Sequence, residues 1–347
     1  MYLNNKVNRK ELKEKMMHDK EPRTVISFYK YYHLPNPTLF RDHLYLMWHA
    51  LDVLGRTYIA KEGINAQISV PTKNLDLFKS RLEEIDFLKG NRLNFAIENK
   101  NESFFKLDIR VRDKIVADGL DDAAFDVTQC GEHLSAEKFN EITALPNTIL
   151  VDMRNHYESE VGHFKNAIIP DVETFREQLP MVAEMLSEQK DKNLVMYCTG
   201  GIRCEKASAY MKYKGFKNVF QLEGGIIKYA HDVENQGLEN KFIGKNFVFD
   251  ERLGERISNE VIAKCHQCGS TCDHHVNCAN DACHLLFIQC DSCKEKYSNC
   301  CSTKCQEFNR LPEENRKVLR KTEKFNGTLF GKSRYKAYRN KLGELLA

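Results

Sequence analysis

The stretch "VMYCTGGIRCEKA" (195–207) decides how the middle of this chain folds. The apolar run Leu194 to Tyr197 reads as a buried strand that stops on a thiol. Thr199, Gly200, Gly201 and Ile202 then form a loop with little side chain, and Arg203 opens a helix with Ala207, Tyr210 and Met211 on its inward side. A loop running from strand end to helix start turns its backbone N–H groups inward, at the positive end of the helix dipole. Glycines let that backbone close around an anion. A cysteine at the mouth is therefore favoured as the thiolate, with a pKa below the free value of about 8.5. Arg203 adds a fixed positive charge. The pattern points to Cys198 as a nucleophile in a cradle made by Thr199, Gly200, Gly201 and Ile202. The Cys-x4-Arg spacing is one residue shorter than the Cys-x5-Arg cradle that Cys-dependent phosphatases close around phosphate, and it suits a single sulfur atom carried on the thiolate, a persulfide. Cys204, inside the helix start, reads as a packing residue, with a redox or resolving role as the alternative.

Working outward, "TILVD" (148–152) is a second buried strand, ending in Asp152, and "NVFQL" (218–222) a third, closed by "EGG". Helical stretches lie at 135–144 and 173–188. Alternating strands and helices over 130–238 predict a parallel sheet with helices on both faces. Sites in such sheets lie beyond the carboxyl ends of the strands, where Asp152 and Cys198 both fall.

Residues 24–120 read as a separate α/β domain. "TVISFYKY" (24–31) is strand-like, Pro37 opens a helix, and "GRTYIA" (55–60) and "INAQISV" (64–70) are strands about the turn "KEGIN". Thr72 caps a helix with Leu75, Phe78 and Leu82 facing in, and "FFKLDIRVR" (104–112) alternates as a last strand. The order β-α-β-β-α-β predicts a ferredoxin-like unit. Residues 1–23 read as a charged arm or a short helix, without the apolar core of a secretory signal. No apolar run is long enough to span a membrane.

Ten of the thirteen cysteines lie between Cys265 and Cys305. With no export signal, a cytoplasmic, reducing compartment is expected, where clustered thiols bind metal rather than pair as disulfides. Cys265-x2-Cys268 and Cys290-x2-Cys293 are two knuckles separated by 21 residues, near the spacing of a four-thiolate zinc ribbon. Cys278, Cys283, Cys301 and Cys305 offer a second, interleaved set. Zinc suits such soft ligands, and an iron–sulfur cluster is the rival. The module spans 262–306, and a basic tail follows at 307–347. The net charge of +3 is uneven: residues 306–347 carry +6 and residues 1–23 carry +3, leaving −6 for the rest. Basic ends on an acidic body suit a polyanion. Lys332, Arg334, Lys336 and Arg339, interspersed with aromatics beside a metal knuckle, are candidates for contacts to single-stranded RNA.

"VDMRNHYESEVGHFKNAI" (151–168), "CTGGIR" (198–203) and "GFKNVFQLEGGIIKY" (215–229) together resemble the signatures of a rhodanese domain. With "YIAKEGINAQ" (58–67) and the cysteine-rich stretch 264–293, the chain resembles, over nearly its whole length, the bacterial tRNA uridine hydroxylase subfamily of rhodanese-like proteins. The resemblance implies oxygen-dependent formation of 5-hydroxyuridine at the wobble position, U34, with molecular oxygen as co-substrate and the anticodon stem-loop of tRNA as target. It makes Cys198 the active-site cysteine, passing through a persulfide, and Arg203 the residue that closes its loop. Asp152 and Arg154 match the acid and base of the first signature, with loop support and proton transfer both open for Asp152. His163 takes a structural place. A sulfurtransferase acting through a Cys198 persulfide is the alternative reading. A non-catalytic RNA-binding protein is disfavoured by the intact Cys198 and Arg203.

Overall fold

A computed structural model describes residues 3, 9–98, 103–120 and 125–325 of the chain. After a helix α1 (Arg9–His18), the N-terminal domain runs β1 (Arg23–Tyr31), α2 (Pro37–Ala50), β2 (Leu54–Ala60), β3 (Gly63–Pro71), α3 (Leu75–Glu83), β4 (Asn94–Phe95) and β5 (Leu107–Val111). Asn36 caps α2 by accepting from the Leu39 N–H, with Pro37 in the first turn, where its missing donor costs nothing. Thr72 does not cap α3; it starts a 3-10 turn (Thr72–Asn74) that leads into the helix. Trp48 of α2 and Phe78 of α3 are fully buried against one face of the sheet, among Ile26, Phe28, Ile64, Ala66 and Ile68.

The five-stranded sheet has the order β4-β1-β3-β2-β5. The ferredoxin-like arrangement holds, with one correction. The strand that closes the unit beside β1 is the two-residue β4, not the segment 104–112. That segment supplies β5, which adds parallel to β2 on the opposite edge. A strand of two residues is too short to show alternation, whereas "KLDIRV" alternates clearly and attracted the assignment.

The second domain contains β6 (Glu132–Leu134), α4 (Ala136–Thr143), β7 (Thr148–Asp152), α5 (His156–Ser159), β8 (Gly162–Phe164), α6 (Phe175–Met185), β9 (Asn193–Tyr197), α7 (Ile202–Tyr213), β10 (Asn218–Leu222) and α8 (Gly225–Gln236). Its parallel sheet has the order β6-β10-β9-β7. Successive residues of β9 serve two cores: Leu194, Met196 and then Cys198 lie on one face, Val195 and Tyr197 on the other. Covering both faces explains why the strands read as continuous apolar runs.

Beyond the second domain come β11 (Phe242–Asn246) and β12 (Glu255–Arg256), and β11 pairs antiparallel with β8. The cysteine-rich module carries the hairpin β13 (His275–Asn277) and β14 (Leu286–Ile288), then α9 (Asp291–Tyr297), α10 (Thr303–Arg310) and α11 (Glu313–Leu319). Among the described residues no helix is long and apolar enough to cross a membrane. Lys332, Arg334, Lys336 and Arg339 lie outside the described residues.

Candidate active site

The loop after β9 has the geometry its sequence implies. Gly201 adopts φ +103°, and a Cβ there would lie 2.7 Å from the Tyr29 hydroxyl, so only glycine fits. Its N–H points at Cys198 Sγ at 3.1 Å. Helix α8 holds the loop from behind: Ile226 N donates to Cys198 O at 3.0 Å and Ile227 N to Thr199 O at 3.2 Å. That approach accounts for the "EGG" motif. Gly225 sits at φ +65°, and a Cβ on it would meet Cys198 O at 2.5 Å.

Burial alone would push the Cys198 thiol up. The neighbouring Cys204, the positive charge of Arg203 and the Gly201 N–H, 3.1 Å from Sγ, outweigh burial and bring it down to about 6. Cys204, fully buried, is itself held well above the ordinary thiol range by burial and by the neighbouring thiolate, so it stays protonated as a donor.

Arg203 is not a free charge at the rim. Its guanidinium makes two hydrogen bonds to the fully buried carboxylate of Glu158, at 2.6 and 2.8 Å. This fork fixes the helix start beneath the loop. Sequence reading missed Glu158. The signal was there, since a buried arginine requires a carboxylate and "NHYESE" offers two. Asp152 is also fully buried. It accepts from Arg154 through the backbone N–H and the guanidinium, from Ser159 Oγ at 2.9 Å and from the Tyr197 hydroxyl at 2.7 Å. Its lone pairs are occupied and it does not line the cavity at Cys198. These contacts place Asp152 at the end of β7, behind the loop. His163 contacts the carbonyl of Phe164.

Cys198, Thr199, Gly200, Ile202 and Arg203 line a cavity of about 470 Å³. Its opposite wall belongs to the N-terminal domain, and its end to the segment after β11. Asn94 of β4 donates to Gly200 O at 3.2 Å, Tyr31 to Ile202 O at 3.3 Å and Tyr29 to Glu205 Oε1 at 2.8 Å. Lys206, at 1% exposure, pairs with Asp118 and with Glu62 at 2.5 Å, tying α7 to the same domain. Arg252 and Glu255 close the far end; burial raises the Glu255 carboxyl, and its buried Oε2 has no hydrogen-bond partner among the described residues. These residues fall in "FDERLGE" (249–255), a dense charge cluster that follows an apolar stretch and lay between the segments read from sequence.

In the cysteine-rich module the structure brings together two tetrads, Cys265/Cys268/Cys290/Cys293 and Cys278/Cys283/Cys301/Cys305, with the sulfurs of each set within 4.8 Å of one another. All thirteen cysteines are free. Sulfur–sulfur distances of 3.6 Å (Cys268–Cys290), 3.7 Å (Cys283–Cys301) and 3.6 Å (Cys301–Cys305) approach the edge of a tetrahedron with metal–sulfur bonds of about 2.3 Å, roughly 3.8 Å. The donor sets fit one ion each. His266 is not a ligand: Nδ1 accepts from Ile288 N and Nε2 meets Glu160, joining the module to the second domain.

A parallel sheet with a reactive cysteine in a glycine loop at a strand's carboxyl end defines a rhodanese-like domain, and residues 135–232 match the Rhodanese-like domain family. Residues 23–115 match the UPF0176 acylphosphatase like domain and residues 243–306 the Rhodanase C-terminal family. The chain is 57% identical to a tRNA uridine(34) hydroxylase of Photorhabdus laumondii, over 96% of this chain and 95% of that one. It is 55% identical to proteins of the same name from Pectobacterium atrosepticum, over 96% and 94%, and Salmonella typhimurium, over 96% and 95%. The chain belongs to the tRNA uridine(34) hydroxylase family.

Proposed function

We propose that this protein hydroxylates uridine 34 of tRNA, replacing the C5–H bond of the base by C5–OH, with molecular oxygen as co-substrate. The observation that carries the reading is the Cys198 thiolate opening into a cavity of about 470 Å³, within the size range of small-ligand sites, in a chain that matches hydroxylases over 96% of its length. Cys198 acts as the nucleophile, Cys204 and the Gly201 N–H stabilise its thiolate, and the Arg203–Glu158 fork holds the loop. The anticodon stem-loop is the target, because its bases are single-stranded and can be turned out for chemistry.

Each cysteine tetrad holds one zinc ion. Ligands of an iron–sulfur cluster sit on different irons and stand further apart, whereas thiols within 4.8 Å suit a single ion. Zinc bound there would tie together the fold of the module, and the chemistry stays with the Cys198 cavity. Lys332, Arg334, Lys336 and Arg339 add phosphate contacts. Thirteen cysteines with no disulfide among them suit a cytoplasmic setting.

Incorporation of one oxygen into the base reduces the second to water and consumes two electrons and two protons, which a thiol reductant supplies in the assay. Purified protein, tRNA, dithiothreitol and heavy-isotope oxygen gas should give labelled 5-hydroxyuridine by nucleoside mass spectrometry. A product lacking the label would remove oxygen as co-substrate. No product, with sulfur transfer from thiosulfate intact, would favour the sulfurtransferase reading.

A further inference from the structure

The second face of the N-terminal sheet is unusual for a covered surface. One face carries the core residues Ile26, Phe28, Ile64, Ala66 and Ile68. The alternate residues point the other way, toward the thiol loop. Strand register aligns them in rows. Asn94, Ser27, Gln67 and Arg56 pair in sequence across β4, β1, β3 and β2, and Tyr29, Asn65 and Tyr58 form the next row. A sheet face covered by a second domain is normally apolar. Beside an apolar patch of Val25, Ala96 and Phe104, the rows over the loop are amide, hydroxyl and guanidinium, and Ser27, Gln67, Arg56, Tyr58 and Asn65 all line the cavity with Cys198.

Several of those groups have structural partners. Asn94 holds Gly200 O, and Asn65 Nδ2 holds Ile115 O at 3.1 Å. Among the described residues the Gln67 amide, the Ser27 hydroxyl and the Tyr58 hydroxyl make no hydrogen bond, although Gln67 and Tyr58 are half-buried. Unpaired polar groups on a cavity wall select a ligand that pairs with them and reject one that does not.

We propose that this wall receives the base of nucleotide 34, with Gln67 reading its imide edge. The inference rests on the hydroxylase reading above and adds the residues that recognise uracil. Uracil presents carbonyl, N–H, carbonyl. Gln67 offers an acceptor for the N–H and a donor for one carbonyl, a two-point pairing that side-chain amides make with base edges. The donor-only guanidinium of Arg56, next to Gln67 in the row, suits the other carbonyl. With Arg56 on the C4 carbonyl and Gln67 on N3–H and the C2 carbonyl, cytosine would set its amino group against the guanidinium, donor against donor, a clash that turning over the Gln67 amide does not relieve. Tyr58 supplies an aromatic surface beside the base. The N-terminal domain is thus the base-reading half of the site, and the cysteine loop is the reacting half.

The test uses the full-length protein and anticodon stem-loop RNAs with uridine, cytidine or an abasic sugar at position 34. Wild type should bind the uridine RNA roughly tenfold more tightly than the abasic RNA, the scale of one two-point base contact. Gln67→Met should lose that preference, keep its affinity for the abasic RNA, and leave the pH midpoint of Cys198 alkylation unchanged. A variant that keeps the uridine preference, or a wild type that shows none, overturns the proposal. Thermal melting checks that the variant folds. If it does not, Arg56→Gln, on an exposed side chain, decides: its uridine-over-cytidine ratio should fall several-fold, and an unchanged ratio overturns the proposal. Binding preference abolished by Gln67→Met, in a protein that forms no hydroxyuridine, would support base reading here while sinking the hydroxylase reading.

Discussion

The Arg203 guanidinium and the Glu158 carboxylate face each other as two forks, 2.6 and 2.8 Å apart, with the carboxylate fully buried. Helix α5 thereby anchors the start of α7 under the reactive loop. Removing one partner leaves an uncompensated buried charge, so Glu158→Ala should cost about 3–5 kcal/mol of stability. The double variant Glu158→Ala/Arg203→Ala should cost less than the sum of the singles. Denaturant unfolding measures both, and simple additivity would show that the pair is not coupled.

Cys198 should alkylate with a pH midpoint near 6. Because its folded pKa lies below the free value of about 8.5, the thiolate contributes stability that is fully present above about 8.5 and lost as pH falls through 6. Cys204→Ala removes the S–H donor and should move the midpoint upward. A midpoint that stays in place would assign the depression to Arg203 and the backbone alone.

The two cysteine tetrads differ in exposure. Cys268 is exposed and Cys290 half-buried, whereas Cys278, Cys283, Cys301 and Cys305 are all buried. Elemental analysis should find two zinc ions per chain, and a chelator should release them in two phases, the Cys265 set first. Substituting Cys268 with serine should abolish the fast phase only. A single phase, or iron in place of zinc, would refute this assignment.

Neutralising Lys332, Arg334, Lys336 and Arg339 together should weaken tRNA binding and flatten its dependence on salt, because each phosphate contact releases counterions. Selectivity for the base at position 34 should not change. Titrations at several salt concentrations separate the two effects, and an unaltered slope would leave the tail without phosphate contacts.

Much of this site is legible in the chain. The run Leu194 to Arg203 carries strand, thiol and loop in consecutive residues, and the cysteine spacings place both tetrads. What escaped reading depends on long-range pairing. Asn94 reaches Gly200 through a strand of two residues, too short for any period to register. Glu158 meets Arg203 across 45 positions, and nothing local marks which acid of "NHYESE" turns inward. The alternation of "INAQISV" shows that Asn65 and Gln67 share a face, but only the docking of two domains reveals that the face looks onto a thiolate. Strong alternation also misled, since it gave 104–112 the place that β4 takes.

The central claim is that the Cys198 thiolate performs the chemistry on uridine 34. The most direct measurement is complementation of a strain lacking the modification with wild type or Cys198→Ser, followed by mass spectrometry of tRNA nucleosides. Serine is nearly isosteric, so the fold and the bound metal should be retained, but its hydroxyl is a poor nucleophile without a base and cannot carry a persulfide. Wild type should give 5-hydroxyuridine and Cys198→Ser none. Full modification by the serine protein would contradict it and place the reaction away from the loop.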